Sequence, residues 1–223
     1  MGSPALSAAM WHDEPMDFQL DEAEARVLGS LMEKEAATPE YYPLSLNALC
    51  AACNQKSNRE PVMALVEGTV SDAVESLRAK GLLLRMSGGD HRVPKFGHRV
   101  GEVFNFDRRE QAILCVLMLR GPQTVGELRG RTERLHTFEG LEEVEATLNR
   151  LIERTPPLVQ KLARQPGEKE PRFCHLLSGE VAQHAQPAAP VEHRSPVEER
   201  VGRLEAELAE FRRQFEEFRK SFE

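Results

Sequence analysis

The stretch LDEAEARVLGSLM, Leu20 to Met32, decides the fold, because it returns without gaps as FDRREQAILCVLM, Phe106 to Met118. Each copy opens on an apolar residue followed by Asp21 or Asp107, and an aspartate at that place accepts from the free N–H groups of a first helical turn. Each then sets apolar residues at helical spacing: Val27, Leu28 and Leu31 in the first, Ile113, Leu114 and Leu117 in the second. The echo continues downstream. A short helix opens on Ser45 in SLNALCAAC and on Thr124 in TVGELRGRT. A longer amphipathic helix follows, with Val70, Val74 and Leu77 in one copy and Val144, Leu148 and Leu151 in the other. Gly81 stops the first, and Pro156-Pro157 stops the second. Each copy closes on two apolar strands around a polar turn, LLLRM-SGGD-HRVPKF and LVQKLA-RQPGEKEP-RFCHLL. Three helices and a hairpin make the winged-helix pattern. The expected fold class is α+β, mainly helical: two tandem winged-helix domains, over 18–99 and 100–178, plus a C-terminal heptad helix. A single mixed domain with a fortuitous repeat is the other reading.

The flanks differ from this body. Residues 1–17 are rich in small residues and proline and read as a disordered tail, and 179–196 read as an Ala/Pro linker. In 197–223, Val197, Val201, Leu204, Leu208, Phe211, Phe215, Phe218 and Phe222 follow one another at alternating steps of four and three, the seam of a coiled coil. With Val201, Leu208, Phe215 and Phe222 at a, a parallel dimer would face Arg200 with Glu205 and Glu207 with Arg212. A homo-oligomer is the expected partner state. Docking of this helix on its own globular body is the alternative, since four phenylalanines are bulky for a two-stranded seam.

Composition narrows the class. The formal charge of −7 excludes a uniformly basic coat, and 40% hydrophobic residues supply a core. Four cysteines in 223 residues give no disulfide framework. No apolar run reaches membrane-spanning length, and the N-terminus lacks a secretory pattern, so a cytoplasmic protein without a membrane partner is expected. No glycine-rich phosphate loop, nucleophile elbow or HExxH is present; the expectation is a non-enzymatic protein with no catalytic residue and no cofactor. Cys50-Ala-Ala-Cys53 has metal-ligand spacing but lacks a nearby second pair, and Cys50 sits where a helix needs a small core residue, so no metal is expected. Glu33 and Glu35 read as the solvated end of the first helix.

Two clusters bear on function. CNQKSNREPV, Cys53 to Val62, packs hydrogen-bonding side chains into the junction between the second and third helices. Lys56 and Arg59 there could hold phosphates, with Asn54, Gln55 and Asn58 on backbone or base edges. Equally, the same side chains could cap their own turn and satisfy loop carbonyls. The first wing sets Arg78, Lys80, Arg85, Arg92, Lys95 and Arg99 against Asp90 alone, a local excess suited to a phosphate backbone. The third helices oppose this, because Glu67, Asp72 and Glu75 in one copy and Glu139, Glu142, Glu143 and Glu145 in the other repel phosphate. The second repeat is therefore expected to pack on the first or to bind another protein.

CNQKSNREPVM, YYPLSLNAL, RVPKFGHR, LRGPQTVGELRGRTERLHTF and PRFCHLL together closely resemble the YceH-like family, bacterial proteins of unknown function, over about 18–178. The resemblance implies a tandem winged-helix fold in a bacterial cytosolic protein and supplies no reaction, ligand or partner. The leading functional expectation is double-stranded DNA binding through the first repeat, by Lys56, Arg59, Arg92, Lys95 and Arg99 with Asn54, Gln55 and Asn58, as a regulator. The alternative is a winged-helix scaffold that binds proteins.

Overall fold

The computed structural model describes residues 19–88, 91–164 and 167–179, and at 87–88 and 91–92 the backbone alone. The expected tail at 1–17, most of the linker and the heptad positions Val197, Val201, Leu204, Leu208, Phe211, Phe215, Phe218 and Phe222 lie outside the described residues. The body is α+β and mainly helical, with seven α-helices and two small antiparallel sheets among the described residues.

Helix α1, Glu22–Ala37, starts where Asp21 accepts from Glu24 N–H at 2.8 Å and Glu24 reaches back to Asp21 N–H at 2.8 Å. Helix α5, Arg108–Arg120, starts on the same reciprocal box between Asp107 and Glu110. Two orphan donors are satisfied at each start. After α1 come a single 3₁₀ turn at Pro39–Tyr41, strand β1, Leu44–Ser45, and helix α2, Leu46–Cys53, capped by Ser45. Helix α3, Glu67–Ala79, leads through Gly81, at φ 73°, into strands β2, Leu83–Gly88, and β3, His91–His98. Helix α4, Val100–Phe104, joins the halves. The second half runs from α5 through α6, Val125–Arg131, α7, Leu141–Ile152, β4, Val159–Lys161, and β5, Phe173–His175. The first sheet has the order β1-β3-β2, and the second pairs β4 with β5.

The order of helices and hairpin thus recurs, with two small elements that periodicity does not reveal. One is β1, whose Leu44 and Ser45 pair with Phe96 and Lys95; its counterpart is the bridge of Gln123 to Phe173. The other is α4, which turns back at Asn105 in a left-handed conformation, φ 50° and ψ 51°.

The halves pack through their first helices. Val27, Leu28 and Leu31 on α1, and Ile113, Leu114 and Leu117 on α5, are all fully buried. The register that aligns Leu20 with Phe106 makes Gly29 the equivalent of Cys115, and these two meet: Cys115 Sγ lies 3.4 Å from Gly29 O. A Cβ on Gly29 would stand 3.0 Å from Leu119 Cδ2, so the helices approach so closely there that Leu119 would have to give way to any side chain. The expectation that the second repeat packs on the first is met at this seam.

One clamp is duplicated. After α3, Lys80 Nζ donates to Gln19 O at 3.0 Å and to Glu24 Oε1. After α7, Arg154 donates to Asn105 O at 3.4 Å and to Glu110 Oε1 at 3.1 Å, and also to Phe104 O at 2.7 Å. In both copies a cation beyond the third helix grips the buried glutamate that starts the first. Burial raises the Glu24 pKa, but the bonds from Lys80, Ser76 and Asp21 outweigh it and hold the carboxyl below its ordinary range.

Candidate functional site

The polar junction after α2 closes on itself. Arg59 is buried, its side chain 0% exposed, and its Nη2 lies 2.6 Å from Glu33 Oε2 on α1. The same guanidinium donates to Ala52 O at 2.9 Å, Asn58 O at 2.9 Å and Gln55 Oε1 at 3.3 Å. Asn54 clamps one residue twice: its Nδ2 donates to Leu65 O at 2.7 Å and its Oδ1 accepts from Leu65 N–H at 2.8 Å. Asn58 takes φ 59° and accepts from Arg120 of the second half. Glu60 N–H donates to Leu119 O at 2.8 Å, and Arg26 reaches Cys53 O at 3.1 Å and Pro61 O at 2.6 Å.

These contacts favour the loop-capping reading over the phosphate reading for four residues. Arg59 ties the loop to α1 and Asn58 ties it to the second half, while Asn54 and Gln55 hold the loop to itself. A phosphate could reach Arg59 only by displacing Glu33, whose half-buried carboxylate would keep only Lys34, at 3.8 Å, beside it. From Glu60-Pro61 the chain runs irregularly to Val66. Of the five candidate residues here, Lys56 alone is exposed, and it has no ion pair among the described residues.

Glu33 and Glu35 are likewise not merely solvated. Glu35 Oε2 lies 2.9 Å from His98 Nε2 at the end of β3. Val100 N–H donates to His98 Nδ1 at 3.3 Å, which leaves Nε2 to carry the ring proton toward Glu35. The hydrogen bond from His98 holds the Glu35 carboxyl below its ordinary range. Tyr42 Oη accepts from His98 N–H at 2.6 Å. These contacts fasten the hairpin to α1.

Among the described side chains, the cations from Arg78 to Arg99 do not gather on one face. Arg78 pairs with Glu75, Lys80 with Glu24, and Arg99 Nε with Glu102 Oε2 at 2.9 Å. The Arg92 side chain lies outside the described residues. Arg85 and Lys95 have no ion pair among the described residues, yet they point to opposite sides of the hairpin. Arg85 is in register with Phe96, and Lys95 with Met86, and neighbours in sequence along a strand face opposite ways. Lys56 is farther still. Ser45, across from Lys95, precedes α2, and Lys56 follows its far end, about 12 Å along the axis at the usual helical rise. Glu67, Asp72 and Glu75 stand exposed along α3.

What the wing does present is apolar. On the side shared with Lys95, Leu84 and Met86 are each 41% exposed, next to Tyr42, whose hydroxyl lies against Gly97; Val93, beyond the register irregularity of the hairpin, is 58% exposed. The other concentrations of chemistry are internally matched. In the recess lined by Asn105, Phe106, Asp107, Glu110, Arg150 and Arg154, Arg150 lies 3.1 Å from Asp107 and Arg154 3.1 Å from Glu110. Cys50 Sγ lies 3.5 Å from Leu65 O, and burial pushes the Cys53 thiol up to about 11, which disfavours a thiolate ligand. No helix among the described residues is long and apolar enough to cross a membrane.

Known proteins place the chain among relatives. A family model described as a protein of unknown function, DUF480, matches residues 20–168. A UPF0502 protein of Solibacter usitatus is 60% identical over 210 residues, covering 93% of this chain and 100% of the relative. A UPF0502 protein of Geobacter sulfurreducens is 50% identical over 220 residues, with 93% and 100% coverage. One of Opitutus terrae is 49% identical over 211 residues, with 94% and 90% coverage. With the model spanning most of the folded body and relatives matched along nearly their whole length, this chain belongs to the DUF480 family, an uncharacterised bacterial family that includes the UPF0502 proteins.

Proposed function

We propose that the chain is a non-enzymatic, tandem winged-helix protein-interaction module whose first wing docks a protein partner. Helix, helix, helix and hairpin in each half, with a short third strand before the second helix, support the winged-helix reading. The observation that carries the docking reading is the β2–β3 hairpin, where Leu84 and Met86 stand exposed on one face and Val93 is exposed nearby. Apolar side chains presented together mark interaction surfaces, and a phosphate backbone offers them nothing. DNA binding by the first repeat is the competing reading. Its support rests on Lys56, Lys95 and Arg85, with the Arg92 side chain outside the described residues and Arg99 paired to Glu102.

The test is photo-crosslinking in the bacterium with a benzophenone amino acid at Val93 in the full chain. The reading predicts one protein adduct, identifiable by mass spectrometry, that disappears when Leu84 and Met86 are both changed to serine. Absence of any protein adduct, or an adduct indifferent to those serines, contradicts it.

A further inference from the structure

We infer that the free edge of β2 is a strand-addition site for an extended protein segment that carries an acidic residue between two apolar ones. The inference rests on the protein-docking reading above and specifies how the partner is held. β2 is the terminal strand of its sheet, and no described strand lies along its outer side. Arg99 N–H donates to Leu82 O at 2.9 Å, and the pairs beyond it are Leu83 with His98, Leu84 with Gly97, Arg85 with Phe96 and Met86 with Lys95. In an antiparallel ladder, pairs that exchange hydrogen bonds alternate with pairs that do not. Leu84 and Met86 therefore bond to β3, while the N–H and C=O of Leu83 and Arg85 face outward. His98 N–H agrees, since it turns away from β2 to Tyr42 Oη at 2.6 Å. The register irregularity falls between Met86 and Gly88, so Leu83 to Met86 remain regular.

An edge with outward N–H and C=O groups is a template for an added strand. The side chains select the occupant. A residue opposite Arg85 would project to the same side as its guanidinium, exposed and without an ion pair among the described residues, where a carboxylate is favoured and a cation repelled. Its neighbours in the added strand would project to the other side, beside Leu84 and Met86, where apolar groups extend the exposed face. A second copy of β2 is disfavoured, because two-fold pairing centred on Arg85 sets guanidinium against guanidinium.

The experiment is fluorescence polarisation of the full chain with a fluorescein-labelled peptide alternating valine and glutamate. A peptide alternating valine and lysine and a labelled random duplex serve as comparisons. The valine–glutamate peptide is expected to bind at least tenfold more tightly than the valine–lysine peptide. Arg85→Glu should invert that order, an outcome unfolding cannot produce. Arg85→Pro should abolish binding of both peptides, since proline removes the outward N–H and the charge without touching a bond to β3. No peptide binding, no charge order, or binding unchanged in Arg85→Pro overturns the inference. Retention of the duplex by the wild type and its loss in Arg85→Pro assigns the edge to phosphate instead and overturns it too. If the Val93 adduct forms while Arg85→Pro leaves peptide binding unchanged, the face docks protein without strand addition. Loss of the adduct defeats both readings.

Discussion

Arg59 and Lys56 stand three positions apart in one polar run, and their surroundings give them opposite roles. Arg59→Ala would strand the Glu33 carboxylate and the Ala52 carbonyl, and breaking a buried pair costs about 3–5 kcal/mol. Lys56→Ala should stay within about 0.5 kcal/mol of wild type, the usual range for an exposed side chain free of such features. Urea unfolding, read from the midpoint at unchanged slope, checks both. The sequence could not separate them, because the partner of Arg59 lies 26 positions upstream on a helix end that reads as solvent. His175 gives a pH signature. Burial lowers its pKa to about 4, and its Nδ1 has no hydrogen-bond partner among the described residues. The unfolded chain takes up the proton near the ordinary value of about 6.5, whereas the folded chain resists. Stability should therefore fall as pH drops from about 6.5 toward 4, by on the order of 3 kcal/mol in all. His175→Leu should flatten that part of a denaturation-against-pH profile; an unchanged slope would reject the assignment.

At the scale of elements, the seam between α1 and α5 is set by the missing side chain at Gly29. Gly29→Val would press on Leu119 and Met118, and overpacking of this kind costs about 1–3 kcal/mol. Thermal unfolding of the variant should start lower. A midpoint equal to wild type would mean the halves are not held at that crossing. The duplicated clamp makes a paired prediction. Lys80→Met and Arg154→Met should each destabilise, with Arg154→Met the costlier, because Arg154 serves Phe104 O, Asn105 O and Glu110 and stacks 4.6 Å from the Phe106 ring. Urea midpoints of the two variants decide the order. These helices were legible because capping aspartates and apolar spacing are local signals. β1 and α4 were not, since two and five residues are too few to establish a period. The clamp was equally hidden: Lys80 counted with the basic cluster of the hairpin, and Arg154 carried no signal of its own, until the fold sets them against Glu24 and Glu110.

Across the whole molecule, the distribution of charge decides between the two classes of partner. The excess of cations between Arg78 and Arg99 is real in the sequence, but composition says nothing of pairing or facing. In the fold, Arg78, Lys80 and Arg99 meet carboxylates, and Arg85 and Lys95 look opposite ways. Self-association through 197–223 rests on spacing alone. Light scattering should give a multiple of the 25.1 kDa chain mass, and a monomer at high micromolar concentration would end that proposal. The account as a whole turns on the claim that the first repeat's cations mostly serve the fold, so that the wing meets its partner through apolar surface. Fluorescence polarisation of the full chain on a random duplex across a salt series tests this most directly. Dissociation constants weaker than about 10⁻⁴ M and a log–log salt slope no steeper than about −2 are expected, because among the described residues few cations of the first repeat lack a partner and could displace counterions. Micromolar binding with a slope of roughly −4 to −5, lost in a Lys56→Ala/Lys95→Ala variant, would contradict it.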